Sequence, residues 1–363
     1  MQDYPIQIYD TNVNFIEEID NYESLVFERK LYKAGKFTLV VSSDNSKIQY
    51  LIKNNFIVIG DDNEKVGIIR EVRYKEEGNI KTTTIIGFEL KRILRTRITT
   101  PTTSASHQSF SSTPAETIIK TVVKRNCFDI AADKYDNLIF DTDQARGGNF
   151  DFSTRYKNLS DEMDALGRSA SLGYKIYLDP VAKKFNFEVI EGEDRTTGFN
   201  PVTFSLDFDN IKNLLYIDSL IDTATDAIVA GQGDGAARTI VEVGSVAAQF
   251  ERSVIFVDAR DINSTDDLTA RGNEKLAKQK PIQSFDCSIF DQSFLYQIDY
   301  DIGDIVNVEY TNTLINIDIA EELKIEGITE YYDVKGFNFD IMFGNQPKVY
   351  SEKLEDKTEQ AVN

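Results

Sequence analysis

The chain has 363 residues, with 60 acidic and 40 basic side chains, a net charge of -20, 41% hydrophobic and 28% charged residues. That length suffices for two or three domains with real cores, and the composition excludes a disordered chain. Apolar runs such as 56–59 stop far short of the roughly 18 residues a membrane span needs, and the opening Met-Gln-Asp-Tyr-Pro has no secretory pattern, so neither membrane insertion nor export is expected.

The first hundred residues read as strands. Ile6 and Ile8 alternate with polar residues, and so do Phe37, Leu39 and Val41. Residues 48–54 fit a short helical turn. Residues 56–59 run into the turn cluster Gly60-Asp61-Asp62-Asn63; 66–74 and 82–90 follow, separated by Glu76-Glu77-Gly78-Asn79. Such spacing with β-branched enrichment is the signature of a small barrel or sandwich. A Thr- and Ser-rich break over 99–112 leads to a helix start, with Thr113 as N-cap, Pro114 at the first helical position and Glu116 closing a capping box. Ile118, Ile119, Val122 and Val123 then share one helical face. Residues 133–152 read as irregular, with Gly147-Gly148 at a turn. A second helix is expected from about Ser160, with Leu159, Met163, Leu166 and Ala170 on one face and Gly173 as its C-terminal cap. Strands over 174–178 and 184–190 follow, joined at Asp179-Pro180.

From Val202 the pattern returns to β: Phe204, Leu206 and Phe208 alternate, then come 214–220, 227–230, a Gly-rich turn, 238–243 and 250–257. Residues 265–280 read as a helix ending at Pro281, and strands are expected at 285–289, 296–300, 305–310, 324–332 and 337–343. The expected architecture is mainly β with an α+β insert. A first β domain at 1–98 is completed by strands from 202–240, the insert spans 99–200, a second β domain with one helix spans 241–345, and 346–363 is a polar tail.

The residue types that are missing exclude much chemistry. One histidine rules out zinc sites built on several histidines, and a Ser-His-Asp triad would have to use His107, which sits in a polar loop stretch. Cys127 and Cys287 lack metal spacing and cannot make a disulfide scaffold; they read as small core or surface residues. Gly231-Gln-Gly-Asp-Gly-Ala236 matches a dinucleotide pattern, but the β-branched run after Arg238 predicts a strand where a phosphate site needs a helix N-terminus. A tight hairpin turn is expected there. Glu321-Glu322, Glu191/Glu193/Asp194 and Asp161/Glu162/Asp164 read as solvated charge, and neither Asp299/Asp301/Asp304 nor Asp207/Asp209 matches a calcium loop. No catalytic, cofactor-binding or metal-binding residue is assigned, and no cofactor is expected. Charge is uneven: 1–98 holds 15 acidic and 15 basic residues, whereas 281–363 holds 17 and 5. The basic cluster Lys91-Arg92-Ile93-Leu94-Arg95-Thr96-Arg97 reads as a solvated face or partner contact rather than a nucleic-acid site.

Several segments together resemble the tail hub (baseplate hub) proteins of long-tailed bacteriophages and phage-tail-like particles. Residues 22–39 look like the family's opening, two strands flanking a Gly-containing turn. Gly67-Ile-Ile-Arg-Glu-Val and Gly87-Phe-Glu-Leu-Lys-Arg-Ile-Leu-Arg-Thr-Arg-Ile resemble its next two strands, and Pro114-Ala-Glu-Thr-Ile-Ile the start of its inserted domain. Leu172-Gly-Tyr-Lys-Ile and Glu191-Gly-Glu-Asp-Arg195-Thr resemble that domain's end. Val229-Ala-Gly-Gln-Gly-Asp-Gly-Ala-Ala-Arg238 is the most distinctive piece, and Asp301-Ile-Gly-Asp304-Ile-Val and Gly327-Ile-Thr-Glu330 look like the closing strands. The likeness spans roughly 4–345, in the family's order.

The resemblance implies two barrel-like domains per subunit and a homotrimeric ring around the tail axis. One end would meet the tail tube or distal tail protein and the other a spike or tip protein. The tape measure protein is a further candidate partner, and DNA would pass only as cargo. It implies assembly in the host bacterial cytoplasm and residence in a virion tail or bacteriocin-like particle. Some members carry a lytic or receptor-binding C-terminal domain; none is expected here, so no enzymatic role follows. The alternative is a β-rich polysaccharide-degrading or surface-binding tail protein.

Overall fold

A computed structural model describes residues 4–78, 80–102, 105–245, 249–277, 279–289, 293–314 and 317–344. The expected polar tail at 346–363 lies outside the described residues, as does Asn79 of the expected turn. The backbone groups into two compact units, one running to Leu214 and resuming from Asp286 to Phe343, the other spanning Leu215–Phe285. The protein is mostly β with a few helices. Among the described residues no helix is long and apolar enough to cross a membrane.

The first unit opens with β1 (Ile6–Tyr9), β2 (Phe15–Ile19), β3 (Ser24–Lys30), β4 (Lys36–Ser42), β5 (Phe56–Ile59), β6 (Asp62–Glu77) and β7 (Ile80–Glu89). It continues through β8 (Gln108–Pro114), α1 (Ala115–Lys124), β9 (Leu138–Phe140), β10 (Asn149–Thr154), α2 (Leu159–Ala170), β11 (Gly173–Asp179), β12 (Lys184–Ile190) and β13 (Thr203–Ser205). The chain leaves the unit along β14 (Ile211–Ser219). The second unit holds β15 (Asp226–Ala230), β16 (Ile240–Gly244), β17 (Val254–Asp258) and α3 (Thr265–Ala277). The chain returns along β18 (Ile282–Ile289) and ends in β19 (Ile305–Asn312), β20 (Ile317–Asp333) and β21 (Gly336–Gly344).

In the first unit the main sheet has the order β21-β20-β3-β4-β7-β6-β5-β1-β2, and β19 joins β20 to β13. The last strands therefore lie beside the first ones. Among the described residues no strand of 202–240 pairs with the β1–β7 set.

Side-chain parity explains the sheet's two faces. Leu25, Phe27, Phe37, Leu39, Ile57 and Ile59 fill one core. Phe56, Val58, Val66 and Ile68 point the other way, into a core shared with Ile118, Val122, Met163 and Leu178. All four residues of β5 are buried because both of its faces are covered, which is why Phe56-Ile57-Val58-Ile59 is continuously apolar rather than alternating. The α+β insert is thus packed on the sheet, with Phe56 and Phe185 edge to face at 4.8 Å.

Some expected local features differ. Thr113 lies in β8, paired with Phe150 of β10, so it does not cap the helix. The first amides of α1 are satisfied instead by the carbonyls of Gly148 and Arg146. The cap of α2 is Asn158, whose side chain accepts from the Asp161 amide at 3.3 Å. Ser171, at φ 57°, ends α2 in the left-handed conformation expected of Gly173. Gly173 instead opens β11, where a Cβ would overlap Leu31. Residues 296–300 form a turn closed by a Tyr296–Tyr300 bridge, not a strand. Leu206–Phe208 is a 3-10 turn rather than strand, so its apolar alternation has no sheet face to fill.

Candidate functional site

The residues that sequence reasoning set aside as chemically inactive occupy structural positions. His107 is exposed, its ring nitrogen 3.2 Å from Ser106 Oγ. The Gly231 loop joins β15 to antiparallel β16, as the β-branched run required. Arg238 folds back over it, donating Nε to the Gly231 carbonyl at 2.8 Å and Nη2 to Ala230 at 2.7 Å. Both cysteines are buried and unbridged. Asp161 faces Arg95 at 3.5 Å, while Asp164 is buried and accepts from Tyr174 at 2.6 Å. Among the described residues no three His, Cys, Asp or Glu side chains converge as metal ligands.

The basic cluster is not the solvated face expected of it at Lys91. Lys91 is buried, donating to the Lys30 carbonyl and, at 3.2 Å, to that of Tyr174. Burial holds its pKa below the ordinary lysine value, although Glu89 and Asp164 oppose the shift. Arg92 lies over Phe88 and Arg97 over Tyr135, each 4.4 Å from the ring centre. The cluster clamps the insert to the sheet. The short 3-10 helix over Leu90–Thr96 buries Lys91 along with Leu90, Ile93 and Leu94, and seven residues of sequence do not reveal that.

Two segments far apart in sequence meet back to back. A Cβ at Gly192 would overlap the carbonyl of Gly303, and Gly303 itself sits at φ 97°, where a side chain would strain the backbone. Asp304 completes the junction, accepting the Glu193 amide at 2.7 Å and Arg195 Nε at 3.3 Å. The Ile305 amide returns a bond to the Glu193 carbonyl. Small residues at 192 and 303 let two backbones approach to the distance these bonds need.

The densest charged constellation was not singled out from sequence. Arg29 on β3 donates to Tyr296 Oη at 2.5 Å and to Asp301 at 2.8 and 3.3 Å. The Tyr296 and Tyr332 hydroxyls donate hydrogen bonds to the two oxygens of Glu330, at 2.7 and 2.6 Å. Lys65 on β6 reaches the same carboxylate at 2.9 Å, and Gln297 donates to Asp62 at 2.8 Å. Glu330 is fully buried and Arg29 nearly so. Burial works against the Arg29 charge, but Tyr296, Asp301 and Glu330 outweigh it and push its pKa up. Burial likewise raises the Tyr296 and Tyr332 hydroxyls, so they stay protonated donors. Burial would raise Asp62 too, but the Gln297 bond and Lys65 hold it low. The one available signal was parity: Arg29 follows Leu25 and Phe27 on the inward side, and Glu330 lies between inward Ile328 and Tyr332. The arrangement holds a fixed shape.

A second buried carboxylate anchors the insert. Glu116 on α1 accepts from Arg146 Nε at 2.8 Å and Lys120 at 2.7 Å, beside a polar groove of about 490 Å³ lined by Lys120, Asp141, Arg146 and Glu188. Burial raises its pKa, but the Arg146 and Lys120 bonds dominate and bring it to about 2. A folded pKa below the unfolded value of about 4.3 stabilises the fold above that value and withdraws support as pH falls toward 2. Glu116→Ala is expected to cost about 3 kcal/mol at pH 7, because two cations lose their partner. Urea midpoints at pH 7 and pH 3 check this: the difference between variant and parent should shrink at the lower pH, and a constant difference would refute the linkage.

The family described as Siphovirus ReqiPepy6 Gp37-like protein matches residues 5–345. Among curated proteins, none matches. Three solved structures share the fold. A tail protein from Neisseria meningitidis MC58 is 12% identical with a TM-score of 0.54, covering 94% of this chain and 97% of its own. The 43 kDa tail protein of prophage MuSo2 from Shewanella oneidensis is 13% identical with a TM-score of 0.54, covering 93% and 98%. Prophage tail protein gp18 from Listeria monocytogenes EGD-e is 11% identical with a TM-score of 0.51, covering 99% of each chain.

Proposed function

The chain belongs to the Siphovirus ReqiPepy6 Gp37-like family of phage tail proteins, and on that footing we propose that it is a tail hub, a structural protein of the virion tail or of a phage-like particle. Three copies form a ring on the tail axis, joining the tail tube or distal tail protein to a spike or tip. The β-rich stretches on either side of the insert at 99–200 act as two barrel-like modules of the ring. The observation that supports this reading is end-to-end similarity: the matched tail proteins align over 93% or more of both partners. The buried networks fit it too, since the convergent polar side chains are consumed in holding shape. The protein acts without enzymatic turnover and without a cofactor.

Reconstruction of the assembled particle tests the proposal. Three equivalent copies around the axis are expected; six copies, or a peripheral position, would remove it. With -20 per chain, acidic side chains are expected on the channel wall, where they repel passing DNA over about 8 Å at physiological salt. A channel lined mainly by Lys and Arg would contradict that part.

A further inference from the structure

Among the described residues, two ribbons of the first unit have one unpaired edge each. β5 accompanies β6 only as far as Ile69, where the Asn54 and Ile69 amides exchange bonds with the Ile69 and Asn55 carbonyls. Beyond it, Glu71 to Glu77 pair with β7 alone among the described residues. In β20, residues 317–324 pair with β19 alone among the described residues, since the pairing with β21 runs from Ile325 to Asp333. Each edge is a row of backbone donors and acceptors facing outward. Val72 and Tyr74 on the first are 41% and 58% exposed, apolar surface that a neighbouring strand would cover.

The two edges differ in charge. Residues 70–77 carry Arg70, Arg73 and Lys75 among their acids, while 317–324 carry Asp318, Glu321 and Glu322 against Lys324. Centred self-pairing is opposed by charge on both. Antiparallel pairing of 71–77 with itself about Tyr74 sets Arg73 against Lys75 and Glu71 against Glu77. Self-pairing of 317–324 sets acid against acid. A closed ring of identical subunits needs two different, complementary surfaces on each copy, and these edges meet that requirement.

Resting on the ring proposed above, we propose that the 71–77 edge of one copy pairs antiparallel with the 317–324 edge of the next, with Arg73 opposite Glu322 and Val72 opposite Leu323. The neighbouring registers that keep the same faces together lose both the Arg73–Glu322 and the Glu71–Lys324 pairs: a shift one way sets Glu71 against Glu322, and a shift the other way sets Arg73 against Lys324. The remaining like-charge pair, Glu77 with Asp318, falls at the end of the match, where water screens it.

Disulfide trapping on the full-length purified chain tests this, since oxidation captures even transient neighbours. Cys127 and Cys287 are buried, so they stay out of exchange. A chain carrying Arg73→Cys mixed with one carrying Glu322→Cys is expected to give the mixed dimer at least about tenfold faster than either chain gives its own dimer, the ratio that 1.4 kcal/mol of preference produces. One chain with both substitutions should close into a covalent trimer. The charge swap supplies a second readout: Arg73→Glu weakens self-association measured by sedimentation, and adding Glu322→Arg restores it. Equal trapping of all three dimers, or none, overturns the edge pairing. A threefold particle without trapping removes the pairing and leaves the ring. Trapping in a particle without threefold symmetry removes the ring and leaves the pairing.

Discussion

Glu330→Ala is expected to destabilise the first unit by about 3–5 kcal/mol, the cost of removing one partner from a buried charged pair. The alanine leaves Lys65 without its nearest carboxylate and the Tyr296 and Tyr332 hydroxyls without acceptors. Each orphaned hydroxyl adds about 1–3 kcal/mol on its own, so the loss does not depend on the ion pair alone. Glu330→Gln keeps an oxygen for one tyrosine and should cost less. The chain has no tryptophan and 17 tyrosines, so tyrosine fluorescence in urea follows the transition. A midpoint unchanged by Glu330→Ala would mean that water, not protein, solvates the carboxylate. The functional consequence is local. Arg29 and Glu330 hold Tyr296 and Asp301, and therefore fix the turn that leads to the Gly303 junction.

The second large effect centres on Phe37. Its ring is fully buried between Gly67 and Gly87, and stacks 6.1 Å from Phe27. Phe37→Ala is expected to cost about 3–5 kcal/mol through lost burial and the cavity left behind. The two glycines should then behave differently. A Cβ at Gly67 meets only side chains, Phe37 at 2.6 Å and Ile57 at 3.2 Å, so Gly67→Ala is costly alone and nearly free beside Phe37→Ala. A Cβ at Gly87 also overlaps the backbone carbonyl of Ile68, so Gly87→Ala stays costly in either background. A double-mutant cycle on each pair measures this, with coupling of at least about 1 kcal/mol expected for Gly67. Equal coupling at both glycines would contradict the packing described. The same contacts give a physical reason for the Gly67-Ile-Ile and Gly87-Phe-Glu segments by which the sequence resembles its family.

Local pattern carried most of the element list. Alternation at Phe37, Leu39 and Val41 found β4, and the hairpin at Asp179-Pro180 was legible because Asp179 accepts two amides of its own turn, those of Val181 and Ala182. Where local pattern failed, a neighbour had intervened. Thr113 has the chemistry of a cap, yet pairing with β10 keeps it extended and lends α1 the carbonyls of Gly148 and Arg146. Lys91 and Arg97 read as a solvated run because nothing nearby in sequence announces Tyr174 or Tyr135 above and below them.

The sequence by itself therefore determined the strand-rich character, the helical faces and the hairpin at Gly231, which depend on residues close to one another in the chain, and the family resemblance, which rests on short local segments in a fixed order. Only the tertiary structure decided that β20 lies against β3, that the insert shares a core with the sheet, and that Arg29, Lys65, Tyr296 and Glu330 converge. The reason is range. Periodicity reports which side of a strand faces inward, and it put charged residues at inward positions 29 and 330. It does not report which distant strand supplies the partner, because strand pairing is set by register and burial across the whole sheet.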